Sequence, residues 1–160
     1  MRIRFFVYAV LLLLAACHSQ HKHATIEAFW LDFQRNIANK DAKAIADMTV
    51  FPLKGAEPYV ESFDINGISR EQFLQKFKQI FDDKALRTIA ATKVNELTTF
   101  TASAENLAEV MGVPNGTAIY SCTVHYVFDE GLETQTESAV AFHFAKLEDR
   151  FKLAFLLVAG

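Results

Sequence analysis

Cys17 closes an apolar run, Ile3 to Leu14 followed by Ala15 and Ala16, that begins behind Arg2 and Arg4. A positive start, a short apolar stretch and small residues before a fixed point are the make-up of a secretory signal with its processing site. The run is shorter than the roughly 20 apolar residues a membrane-spanning helix needs. A thiol at that junction is a nucleophile able to carry a covalent group. The second cysteine, Cys122, lies in a strand-like apolar segment and reads as a buried, inert thiol. The imidazoles fall into two sets. His18, His21 and His23 precede the folded part as a solvated polar tether, with no acid or thiol nearby to complete a metal site. His125 and His143, with Glu137, are the right types for zinc binding or for general acid–base work. Strand alternation sends them to the same outward face as Ser121, Thr123 and Ala141, where they could hold zinc if the strand register brought them close; the expectation is a polar face bonded to itself, to water or to a partner, with no metal and no cofactor, and a single β-bulge would reverse that placement. Asp32 and Asp47 lie beside apolar stripes and read as solvated helix residues, and Asp64 as a turn residue. No phosphate loop, dinucleotide fingerprint, G-x-S-x-G, H-E-x-x-H or paired Cys-x-x-Cys occurs.

The elements that must position these groups divide the chain by period. Ile26, Phe29, Trp30, Phe33 and Ile37 form one helical stripe. Asp41 is placed to cap a second short helix carrying Ala42, Ile45, Ala46 and Met48, and Val50-Phe51-Pro52-Leu53 stops it. Ser69 and Gln72 have capping-box spacing, with Ile68 and Phe73 placed to staple it, ahead of a third helix whose stripe is Phe73, Phe77, Ile80 and Phe81. Beyond Asp82-Asp83 the chain turns strand-like. Leu86 to Leu97 is expected as a strand, Asn106 to Met111 as a strand or, over Ala102 to Glu109, a helical turn. Pro114-Asn115-Gly116 and Asp129-Glu130-Gly131 mark turns between strands Thr117–Phe128, Thr134–Ala145 and Arg150–Ala159. The expected fold class is α+β: three N-terminal helices packed on a curved antiparallel sheet.

Alternation assigns Tyr120, Cys122, Val124, Tyr126 and Phe128, with Val140, Phe142 and Phe144, to the face turned toward the helices. Trp30, Phe33, Phe77, Tyr120, Tyr126 and Phe142 could then line an apolar cavity for a small ligand, with Tyr59 near its mouth. These inward positions offer hydroxyls and a thiol but no carboxylate or imidazole, which argues against catalysis. The outward set, Ser121, Thr123, His125, Glu137, Ala141 and His143, mixes small and polar residues and suits a half-covered interface for a second copy or another protein. Without residues 1–16 the chain carries fourteen basic and nineteen acidic residues, net −5. Such a balance provides no basic field for nucleic acid.

Leu14-Ala15-Ala16-Cys17 resembles the lipobox of bacterial lipoproteins. The resemblance implies cleavage before Cys17, a diacylglycerol on its sulfur and an acyl chain on the new amino group. It divides the chain into a signal peptide at 1–16, a tether at 17–24 and one domain at 25–160. His18 in second place, where an aspartate resembles an inner-membrane retention signal, favours the outer membrane facing the periplasm in a two-membraned cell. The element order from Ile26 to Val158 resembles the nuclear transport factor 2-like superfamily. That likeness rests on the aromatic first helix, the capped third helix after Asn66-Gly67-Ile68-Ser69 and the closing strand pair around Glu148-Asp149. It implies a cone with a cavity between helices and sheet. The expected function is a lipid-anchored, non-enzymatic envelope protein that binds a small apolar ligand or a protein partner. The alternatives are a small lyase, isomerase or hydrolase using the cavity, and an assembly or immunity-type protein acting through its outer sheet face.

Overall fold

The computed structural model describes residues 23–59, 66–103, 108–129 and 135–159. Cys17, the signal peptide, most of the tether, Asp64 and the Glu130-Gly131 turn lie outside the described residues. Helix α1 (Ile26–Ala38) begins where the Thr25 hydroxyl accepts the Ala28 N–H, and it buries the expected stripe together with Asp32. Asp41 caps α2 (Ala42–Asp47) in the same way through the Ala44 N–H. Helix α3 (Arg70–Ile80) carries the full capping box: Ser69 accepts from the Gln72 N–H, and the Gln72 side chain accepts from the Ser69 N–H.

Two stretches differ from expectation. Val50 to Leu53 does more than end α2, because it belongs to strand β1 (Thr49–Lys54). This strand lies at the sheet's edge, where Pro52 costs no ladder hydrogen bond. Leu86 to Leu97 is not a strand. Asp82 accepts the Ala85 N–H and caps α4 (Asp83–Ala91), and Val94–Glu96 forms a 3₁₀ turn. Asp82-Asp83 thus opens a fourth helix instead of closing the third. A further helical turn, α5 (Ala108–Met111), occupies the stretch left open between strand and helix. The described helices before the sheet are therefore four, with β1 among them.

Strands β2 (Thr98–Thr101), β3 (Ala118–Asp129), β4 (Gln135–Leu147) and β5 (Arg150–Ala159) complete a five-stranded sheet of order β1-β5-β4-β3-β2. The class is α+β, but the sheet is mixed, since β1 runs parallel to β5 while the other pairs are antiparallel. The β3–β4 register is unbroken from Ile119↔Ala145 to Asp129↔Gln135, so alternation holds along both strands. The bulge lies in β5: Leu153 pairs with Phe144 and Phe155 with His143, leaving Ala154 extra. Helices α1 to α4 cover one face and bury Cys122, Val124, Val140, Phe142, Phe144, Leu153 and Leu156. On the opposite face a second, smaller core joins Ala102, Ala108, Met111 and Val113 to Ile119, Ala145, Ala154 and Phe155.

Candidate functional site

The inward aromatics fill the space that a ligand would occupy. Phe33 and Phe142 have no accessible surface and Trp30 has 1%, so a water-sized sphere barely touches any of them. Phe33 packs edge-on to Phe144 at 5.1 Å and Phe81 stacks on Phe142 at 5.1 Å, a continuous block of rings. Trp30 spends its Nε1–H on the Thr92 carbonyl (2.9 Å). Trp30, Phe33 and Phe142 are thus core, not cavity lining, and this corrects the expectation of a deep apolar pocket at these residues. Phe77 is buried beside an open groove of about 720 Å³ between α2, α3 and α4. Cys122 is buried as expected, with its sulfur 3.7 Å from the Thr92 hydroxyl, and burial pushes its thiol pKa up.

The three tyrosines remain at the margin, half-buried against the core. Tyr120 packs edge-on to Phe151 at 5.6 Å. Tyr126 donates its hydroxyl to Asp82 (3.1 Å), while the Lys84 ammonium sits 5.1 Å from its ring centre. Burial and the Asp82 charge push Tyr59 up to about 12 and raise Tyr126 as well, so both phenols are protonated donors at neutral pH. Asp82 brings a carboxylate to this rim from the N-cap of α4, which strand alternation alone could not reveal. That carboxylate already holds both the α4 cap and the tyrosine hydroxyl.

The outer face is divided. Near β2, Ser121 and His143 are buried beneath the chain's own second core, with the His143 ring edge-on to Phe100 (5.7 Å) and stacked on Phe155 (6.0 Å). Both ring nitrogens are buried without a hydrogen-bond partner, and burial lowers the pKa to about 4. These two residues are therefore not available to a partner, contrary to expectation, and Ala141 is accessible only at 9%. Thr123, His125 and Glu137 stay accessible at the other end. His125 pairs with Ala139, four positions along β4 from His143, a separation of about 13 Å. The two imidazoles do not converge, and no metal-binding group of histidine, cysteine and acidic side chains forms among the described residues. Five large apolar side chains are exposed among those described; Val127 (54%) and Leu157 (40%) lie on this outer face, four β4 positions and two strands apart, while Val158 (40%), opposite Val140, lies on the helix-facing side.

One constellation has no counterpart in the sequence reading. Asp32 is 5% exposed; His23 Nε2 lies 3.0 Å from its Oδ2, and the Arg35 guanidinium holds the other oxygen. His23 and Asp32 border an open groove of about 810 Å³ between α1, α2 and the β4–β5 turn. The signal was present as Arg35 three residues after Asp32, a helical ion-pair spacing, but the partner histidine came from the stretch read as tether. The Phe151 N–H bonds the His23 carbonyl (2.8 Å), so His23 belongs to the folded part. Comparison of the chain with protein-family models, with curated proteins and with solved structures returned no match.

Proposed function

We infer that this is a lipid-anchored bacterial envelope protein, held through Cys17, whose cone-like domain of the nuclear transport factor 2 type binds a protein partner and performs no catalysis. The observation that carries the reading is the contrast between a filled interior and a half-uncovered sheet. Rings with almost no accessible surface leave no room for substrate between helices and sheet, while Val127 and Leu157 are left in water beside Thr123, His125 and Ala139. Exposed apolar side chains on one uncovered sheet face, amid polar neighbours, fit a contact surface. At the rim between helices and sheet, the Asp82 carboxylate is engaged by its helix cap and by Tyr126. Among the described residues no helix is long and apolar enough to cross a membrane. On this reading the acyl chains make the attachment, at about 0.8 kcal/mol per buried methylene.

The test is site-specific photo-crosslinking in the native envelope. A photoreactive side chain at Val127 or Leu157 should give a discrete adduct of defined mass, and one at Glu71 on exposed α3 should give none. Val127→Lys with Leu157→Lys should abolish the adduct obtained from a probe at His125. Absence of any adduct from the three sheet positions would remove the partner-binding reading.

A further inference from the structure

Strand β3 outruns β2, and the stretch left uncovered carries accessible residues of the outer face. Thr117, one residue before β3, gives its carbonyl to the Ala102 N–H (2.8 Å), on the β2 side. Along an antiparallel strand, alternate residues turn both backbone groups to the same neighbour. Ile119, Ser121, Thr123, His125 and Val127 therefore direct their N–H and C=O groups toward the β2 side. Strand β2 meets only the first two, through Phe100 and Thr98, because the chain before Thr98 is wound into the Val94–Glu96 turn. From Thr123 to Val127, about 14 Å at strand rise, no backbone group among the described residues answers these three.

Edges of this kind are usually blunted by a lysine, a proline or a bulge. Thr123 to Val127 contains no lysine, proline or acid, and its register with β4 is unbroken. The side chains of Thr123, His125 and Val127 are accessible on the outer face. A row of donors and acceptors repeating every two residues is matched by another extended backbone. We propose that an extended segment of another protein adds to the sheet along Thr123–Val127, in the lane that β2 leaves, and exchanges backbone hydrogen bonds with Thr123, His125 and Val127. About five residues fill the lane. A β-branched or aliphatic residue opposite Val127 packs on its accessible side chain. A second copy of this chain fits the lane worse. Pairing the same three residues about a two-fold axis, Thr123 against Val127, would bring Asp129 against the other copy's Ser121, which Thr98 already holds.

The inference rests on the partner-binding reading and states how that partner is held, so its test separates the two. In the full-length free protein, hydrogen exchange should be fast at the His125 and Val127 amides and at least about 100-fold slower at Val124 and Tyr126, which face β4. Equal protection at all four would mean that the lane is already filled, and would overturn the inference. A photoreactive side chain at Val127 then captures the natural partner in the envelope. His125→Pro removes an outward N–H and none of the β4 ladder. It should cut the adduct yield about ten-fold, the weight of one hydrogen bond, whereas His125→Thr keeps that N–H and should stay within about two-fold. Loss in both variants, or in neither, would overturn strand addition and leave partner binding in place. Where His125→Pro fails to fold, the purified adduct decides, since its His125 amide should exchange about ten-fold more slowly than in the free protein. Unchanged exchange there counts against the inference, as does an adduct of twice the chain's own mass, which would put a second copy in the lane. No adduct from any sheet position would overturn the partner-binding reading and the inference with it.

Discussion

His143 is held in its neutral form by its surroundings. Packed between Phe100 and Phe155 with both nitrogens unpartnered, its ring cannot take a proton without burying an uncompensated charge. The unfolded chain has no such restriction and protonates near the ordinary 6.5, whereas the folded state waits until about 4. As pH falls between those values the unfolded state binds the proton first, so stability is full above 6.5 and is lost on the way down to about 4. The loss from this one group is bounded at about 3 kcal/mol. Replacing the imidazole by a similar apolar side chain, His143→Leu, removes both unpaired nitrogens. It should raise stability at neutral pH by about 1 kcal/mol. Urea unfolding of both proteins across pH 4 to 7 should show the gap widening as pH falls. A constant gap would mean that His143 does not titrate between the two states.

At the scale of elements, the close approach of β1 to β5 depends on Gly55. A Cβ built there would lie 1.7 Å from the Leu156 carbonyl oxygen, and the residue's φ of +78° already disfavours any side chain. Because the obstacle is backbone in the central part of the sheet, nothing can yield except the β1–β5 pairing itself. Gly55→Ala should therefore cost more than about 3 kcal/mol, in the range reserved for specific structural lesions. Gly116 makes the control, with φ at +87° but nothing within 4 Å of its Cβ. There only the left-handed strain applies, and Gly116→Ala should cost about 1–2 kcal/mol. Thermal unfolding of the pair discriminates the two terms, and equal losses would refute the role of the Leu156 contact. The same elements show what the sequence could and could not disclose. The capping box, the Asp41 cap, the aromatic stripe of α1 and the last three strands follow from local rules, and those rules were sufficient. Strand β1 was hidden because its parallel partner, β5, lies about 100 residues away in the chain and Pro52 looked only like a stop. Helix α4 was hidden because Thr88, Ile89, Thr92 and Val94 carry strand propensity, while Ala85 and Ile89 in fact bury one face of a helix. Alternation read the two faces of β3 and β4 correctly, since their register has no bulge. It could not tell that one half of the outer face would be covered by Phe100, Ala102, Ala108, Met111 and Val113, so Ser121 and His143 looked available. Nor could it foresee Asp82 meeting Tyr126, or His23 meeting Asp32, because both contacts join residues through tertiary packing alone.

For the whole molecule the decisive quantity is the volume left inside. A ligand of drug size needs a pocket of roughly 300 Å³ or more, and the rings of Trp30, Phe33, Phe81, Phe142 and Phe144 together leave no accessible surface beyond 1% on any one of them. Opening such a space would require displacing several of these side chains at once. Truncating even one buried aromatic costs about 3–5 kcal/mol, and a whole domain has only about 5–15 kcal/mol to lose. The protein purified gently from its natural compartment should therefore give a native mass accounted for by the chain and its covalent groups, with no stoichiometric small molecule. Trp30→Ala tests the same point from the other side. By removing the indole it creates a cavity, and it should bind small apolar probes that the natural protein ignores, as engineered apolar cavities do. An adduct already present in the natural protein would move the function back into the interior and make Tyr59, Asp82 and Tyr126 its entrance. A clean mass, with probe uptake appearing only in the Trp30 variant, moves the function out of the interior and onto the surface of the fold.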